Sequence, residues 1–226
     1  MDELSNLPDE YTENIKHSLN LLTYGNIMIY HQPTTFWEKR CRPYIVVCSV
    51  VTYISSLTMY LGNVFRGELQ LTELAYVVSV YMVSIQAILK AAIAIFNTNE
   101  IRSIIQELGC MWRTQDLTEE QINKKNAQLK RLKFCYAVFR IVYFFLGMEF
   151  LMISLCSNLA TAFTLLQEDL QSVKPQPNNI ALKSLIARHQ KLISLSLQLD
   201  NVFDKVIFVN LTSAAVPLCF FGFSAK

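Results

Sequence analysis

Uncharged apolar runs long enough to span a membrane constrain this chain more than any other feature of its sequence. The first, residues 44–65, reads YIVVCSVVTYISSLTMYLGNVF and has no charged residue. A helix needs about 20 predominantly apolar residues to cross the hydrocarbon core of a bilayer. A buried helix of a water-soluble protein seldom stays uncharged over such a length. The run therefore predicts a first membrane-spanning helix over about residues 44–65.

Two further runs have a similar length and composition. Residues 75–96 carry one charge, Lys90, six positions before the end of the run. A lysine stem can cover that distance along the helix and place its ammonium at the membrane interface. Residues 206–224 carry no charge, and the glycosylation sequon at Asn210 would lie at membrane depth, so we expect it to be unmodified. Both runs are predicted to span the membrane.

A fourth run, residues 134–166, fits neither one span nor two. It is too long for one ordinary helix and too short for two, and it carries Arg140 and Glu149. A glutamate at the bilayer centre is costly, whereas one at the outer surface is tolerated. We therefore expect a short or re-entrant hairpin that turns near Gly147.

The distribution of Lys and Arg predicts the orientation. Lys39, Arg40 and Arg42 precede the first run, only Arg66 follows it, and residues 97–133 carry seven basic residues. Because basic residues concentrate on the cytoplasmic side, the N-terminus is predicted to be cytoplasmic in a multi-pass protein. Residues 167–205 are also basic and should be cytoplasmic, which conflicts with a single crossing by residues 134–166.

Local patterns predict helices in the cytoplasmic segments. Ile101, Ile104, Ile105 and Leu108 share one helical face, which ends at Gly109 as a stop signal. Thr118 with Gln121 resembles a capping box. After Pro175 and Pro177, an amphipathic helix is predicted over about residues 180–203. Its predicted packing face comprises Leu182, Leu185, Ile186, His189, Leu192 and Ile193, with Lys183, Arg188 and Lys191 off that face.

Composition excludes several functional classes. Charged residues make up 17% of the chain, against about 25% in soluble domains, and 52% is hydrophobic. No basic stripe with interleaved aromatics points to nucleic acid. The six cysteines form no CxxC pair, and no GxSxG, HExxH, GxGxxG or P-loop motif occurs. We therefore predict an all-α polytopic membrane helical bundle, a single membrane domain over residues 1–226 with long helices extending into the cytoplasm, and no enzyme activity, metal or cofactor.

Two stretches carry a resemblance to a known family. RHQKLISLSLQLDNVFDKVIFVNLTSAAVPLCFFGFS resembles the insect odorant receptor family, and FLMISLCSNLATAFTLLQEDLQSV is similar to its fourth helix. The resemblance implies a seven-helix, N-terminus-inside receptor in the plasma membrane of olfactory neurons. It also implies a tetrameric cation channel that is opened by volatile apolar ligands and shares a co-receptor subunit.

The resemblance also implies that this chain is truncated. The sequence stops in or just after the fifth helix, so helices six and seven, which line the family's pore, are expected to be missing. The outer part of helices three and four is expected to be missing too, which would make residues 134–166 a fused pair of partial helices. We therefore expect a partial chain or splice variant that conducts no ions alone.

The resemblance implies a ligand site in the outer half of the bundle. By position, the candidate ligand-binding residues are Tyr76, Ser79, Val80, Met82 and Ser84 on the second helix, Tyr143, Phe144 and Gly147 on the third run, and Phe150 and Ile153 on the fourth helix. Aromatic faces, a flexible Met and a few hydroxyls suit a weakly polar volatile. The alternatives left open are a gustatory-receptor relative and a small helical membrane accessory or transport protein.

Overall fold

A computed structural model describes residue 4 and residues 6–24, 27–30, 42–66, 71–139, 147–172 and 180–224. The regular structure in these ranges is helical throughout. Its helices are α1 (Asp9–Tyr24), α2 (Arg42–Phe65), α3 (Leu71–Phe96), α4 (Thr98–Cys110), α5 (Glu119–Phe139), α6 (Gly147–Ser172) and α7 (Ile180–Ser224).

Three segments of the described chain are long and apolar enough to cross a membrane. They are Leu74–Phe96, Gly147–Ser172 and Leu182–Phe223. Together with the helical content, they confirm the predicted fold class, an all-α membrane bundle.

The chain divides into two compact units. The first consists of Met1–His31 and Asn97–Phe203, and the second of Gln32–Phe96 and Asp204–Lys226. The first unit therefore holds α1, α4, α5, α6 and the beginning of α7. The second holds α2, α3 and the end of α7.

In the first unit, α4 buries the face that its sequence predicted. Ile101, Ile104, Ile105 and Leu108 are at most 1% exposed. The helix ends at Cys110, one residue after Gly109, in agreement with the predicted stop. A Cβ added at Gly109 would lie 2.8 Å from the Tyr11 ring, so the missing side chain allows α1 to approach closely.

Tyr11 anchors α1 on α4. Its ring is fully buried and its hydroxyl donates a hydrogen bond to the Ile105 carbonyl at 2.8 Å. Burial raises the pKa of Tyr11 well above its usual value. The hydroxyl therefore stays protonated and remains a hydrogen-bond donor at physiological pH.

Helices α5 and α6 run antiparallel. The predicted capping box begins α5: the Gln121 amide donates to Thr118 Oγ1 at 3.3 Å, and the Thr118 amide to Gln121 Oε1 at 3.1 Å. The Gln121 side chain also donates to Asp169, near the end of α6. About two turns further along α5, Gln128 accepts a hydrogen bond from Thr161 of α6. α5 ends at Phe139 and α6 begins at Gly147, on either side of residues 140–146, which lie outside the described ranges.

Helix α7 differs from its predicted form in two ways. The amphipathic segment and the last apolar run form one continuous helix, because no residue between them breaks helical structure. Of the predicted packing face, Leu192 alone is buried, so the packed face differs from the predicted one elsewhere. Leu192, Leu195, Leu199, Val202 and Phe203 are buried, whereas Leu182, Ile186 and Ile193 are 39–47% exposed.

Arg188 lies towards the packed side of α7, although its charge predicted the opposite. Its guanidinium donates to the Met111 carbonyl at 3.1 Å and lies 3.7 Å from Asp169. Asp169 also pairs with Arg113 at 2.5 Å. A half-buried arginine is tolerated there because these oxygens replace part of its hydration.

Candidate ligand-binding site

The predicted ligand-binding residues of α3 lie in the second unit, on a helix with little protein cover. Tyr76 is 68% exposed, and Ser79, Val80, Met82 and Ser84 are half-buried. Tyr76, Ser79 and Val80 share one side, as their spacing predicted. Met82 and Ser84 are two positions apart and therefore lie about 160° apart around the helix axis. One surface cannot present both of them equally.

The two serine hydroxyls of α3 are occupied as donors within the helix. Ser79 donates to the Ala75 carbonyl and Ser84 to the Val80 carbonyl, each at 2.7 Å. A hydroxyl that donates in this way keeps its oxygen lone pairs available. These serines can therefore accept a hydrogen bond from a ligand without breaking the helix.

A polar contact that the sequence reasoning missed joins α3 to α7. Gln86 Nε2 donates to Asn210 Oδ1 at 2.5 Å, between two otherwise apolar helices. Asn210 had drawn notice only as part of a sequon, and only the pairing of the helices reveals its partner. Interhelical amide contacts of this kind stabilise helix association within membranes.

Lys90 lies one turn beyond Gln86 on the same side of α3. The residue is 5% exposed, so other parts of the protein cover most of its side chain. Whether its ammonium reaches the interface stays a prediction. An intramembrane lysine that is buried by protein is retained at a cost, which makes it a residue of functional interest.

The Gln86–Asn210 contact gives a direct test of packing in the second unit. We expect Gln86→Leu and Asn210→Leu each to weaken the α3–α7 association. In a double-mutant cycle their coupling should be about 0.6–1.7 kcal/mol, from the average to the maximum for hydrogen bonds between membrane helices. Unfolding of the four proteins by increasing SDS in mixed micelles measures it. A pair of independent, additive effects would show that the contact is not formed.

The predicted residues of α6 lie in the first unit, and their environments differ. Phe150 is 2% exposed, whereas Ile153 is 37% exposed. A Cβ at Gly147 would lie 3.2 Å from Leu22 Cδ2, and Ser154 contacts Ser18 at 3.2 Å. The side of α6 next to Phe150 is therefore covered by α1. Tyr143 and Phe144 lie outside the described residues.

The described residues that could have formed a catalytic or metal site take part in packing instead. His189 is exposed and packs edge-to-face against Phe163, with 6.2 Å between ring centroids. Within the described ranges, His, Cys, Asp and Glu form no group that could bind a metal. A small groove of about 40 Å³ in the first unit lies beside Leu19, Ile29 and Tyr30 and includes none of the predicted ligand residues.

Comparison with known proteins supports the family resemblance. The family model described as "7tm Odorant receptor" matches residues 141–225, which include α6 and α7. No curated protein and no solved structure matches the chain. The family consists of receptors and ion channels rather than enzymes. The match confirms the predicted resemblance: residues 141–225 are similar to the 7tm odorant receptor family.

Proposed function

We propose that this chain is a ligand-binding subunit of an odorant-gated cation channel, acting with a co-receptor subunit in the plasma membrane with its N-terminus in the cytoplasm. The family match over residues 141–225 carries this proposal. The lipid-compatible surface of α3 supports it, because only 11% of its most apolar window is buried by protein.

The residues of α3 favour an apolar ligand with one weakly polar group. Tyr76 offers an exposed aromatic face, and Val80 adds aliphatic surface beside it. Ser79 supplies an acceptor oxygen on the same side. A ligand here would bind mainly by apolar burial, worth roughly 25 cal/mol per Å², with the serine setting its orientation.

Binding of volatiles to the purified chain tests the ligand-binding part of this proposal. The chain in lipid nanodiscs is loaded with a fluorescent apolar probe, and a panel of volatile esters, alcohols and ketones is tested for displacement. We expect Tyr76→Ala to weaken the best ligand about 5- to 10-fold, since an aromatic contact contributes about 1–1.5 kcal/mol.

Tyr53 is the matched control, because it is a tyrosine of α2 that is 46% exposed and not among the predicted ligand residues. Tyr53→Ala should leave displacement unchanged. Equal effects of the two substitutions, or no displacement from the unaltered chain, would refute the site. Ligand-evoked current in cells that express the chain together with a co-receptor subunit, and its absence with the co-receptor subunit alone, tests the channel role separately.

A further inference from the structure

We propose that α6 does not cross the membrane, but is the central helix of a water-exposed domain in which α1 covers its apolar face. The inference concerns the first unit and does not depend on the ligand or on channel activity.

α6 is more deeply buried within the protein than the other apolar helices. In its most apolar window, 56% of the residues are buried inside the protein, against 11% for Leu74–Phe96 and for Leu182–Phe223. A helix that spans a bilayer at the edge of a bundle presents much of its apolar surface to lipid. The apolar surface of α6 is instead satisfied by contacts with the rest of the chain.

Helix α1 covers the first half of α6. Leu22 lies against Gly147, and Ser18 contacts Ser154 one to two turns further along, so the two helices run antiparallel. The opposite side of α1 is polar. Its exposed residues there are Glu13, Lys16, His17 and Asn20. The helix that covers α6 therefore presents charge outward.

Helix α5 flanks the second half of α6 in the same way. Thr161 donates to Gln128, and Lys124 pairs with Glu168 at 2.5 Å. One turn beyond Gln128, towards the middle of α6, α5 exposes three basic residues, Lys130, Arg131 and Lys133. Lys133 and Glu13 of α1 approach to 3.8 Å with both side chains more than 60% exposed, so charged groups of both flanking helices meet at this level.

The exposed charges of α1 and α5 lie beside the part of α6 that any membrane crossing would have to use. A crossing needs about 20 residues, and every stretch of that length within Gly147–Ser172 includes residues 153–166. The contacts of α1 with Ser154 and of α5 with Thr161 fall inside that stretch. A crossing by α6 would therefore carry the exposed charges of α1 and α5 into the hydrocarbon, where such groups are strongly disfavoured.

This arrangement removes the conflict between span length and charge. If α6 stays in water, the basic residues 97–133 and 167–205 lie on one side of the membrane, in agreement with the charge rule. The crossings are then made by α2, α3 and the last part of α7. The apolar residues of α6 are then explained by packing within a protein core rather than by lipid.

Native cysteines provide a test of the topology. Cys110, Cys156 and Cys219 are free and exposed, near the end of α4, in the middle of α6 and in the last apolar run, respectively. Full-length variants that each retain one of them, with the other five cysteines replaced by serine, are treated in sealed vesicles with a membrane-impermeant maleimide. We expect Cys156 to be labelled from the same side as Cys110, and labelling to be lost for Cys219.

A cross-link tests the α1–α6 contact independently of the membrane. In a cysteine-free background, the pair Ser18→Cys and Ser154→Cys should form a disulfide on mild oxidation, because the two native hydroxyl oxygens are 3.2 Å apart. The control is Ser18→Cys in a variant that retains Cys156 as its one native cysteine; that pair should not cross-link, because Cys156 lies on the exposed side of α6. Shielding of Cys156 to the same extent as Cys219, or failure of the Ser18–Ser154 pair to cross-link, would overturn the proposal.

Discussion

Replacing Leu151 with alanine is expected to lower the free energy of unfolding of the first unit by about 3–5 kcal/mol. Leu151 lies in α6 and is fully buried. Truncating a buried leucine loses the transfer free energy of the removed groups and leaves a cavity that neighbouring side chains fill only in part. Thermal unfolding of the purified chain in detergent, followed by far-UV circular dichroism, measures the change.

Ile153, two residues further along the same helix, is the matched control because it is 37% exposed. Ile153→Ala should cost clearly less, about 1.5 kcal/mol, because over a third of this side chain is already exposed. Similar losses for the two variants would mean that α6 is not packed asymmetrically against α1 and α5. That result would also weaken the proposal that α6 lies in a protein core.

Removing the carboxylate of Glu10 is expected to lower stability, because it takes the ion-pair partner from the buried ammonium of Lys125. Lys125 Nζ lies 2.6 Å from Glu10 Oε2 and 3.1 Å from the Arg113 carbonyl, and its side chain is 6% exposed. In Glu10→Ala the ammonium keeps the carbonyl and the Trp112 ring, whose centroid lies 5.6 Å away. We expect a loss of about 2 kcal/mol, below the 3–5 for a fully buried pair, because Glu10 is one-third exposed.

Glu13 offers a comparison on the same helix. It pairs with Lys133 at 3.8 Å, and both side chains are more than 60% exposed. Glu13→Ala should change stability by less than about 0.5 kcal/mol, and that small effect should vanish at high salt. The effect of Glu10→Ala should persist in salt, and a salt-sensitive loss there would show that Lys125 is solvated rather than buried.

Local spacing predicted the parts of the fold that depend on neighbours along the chain. The buried face of α4 and the Thr118–Gln121 capping box were both predicted, because residues three and four apart meet on one helix whatever surrounds it. The packed face of α7 was not. That helix has apolar residues on two sides, and its partners, not its own pattern, select Leu195 and Leu199 over Ile186 and Ile193.

The predicted ligand residues show the same division. Spacing placed Tyr76, Ser79 and Val80 on one side of α3, and the helix has them there. It could not show that Phe150 is buried on the side of α6 that α1 covers, because α1 is more than 120 residues away in sequence. Nor could it pair Gln86 with Asn210. Whether these residues bind a ligand stays a prediction.

Run length and the absence of charge were enough to establish that this is a helical membrane protein, since in lipid the backbone must satisfy its own hydrogen bonds. Run length and charge could not show whether a particular apolar helix is surrounded by lipid or by protein, because apolar side chains are compatible with both. For α6 that distinction came from its neighbours. α1 and α5 cover its apolar surface and turn their own charges outward, and such charges require water.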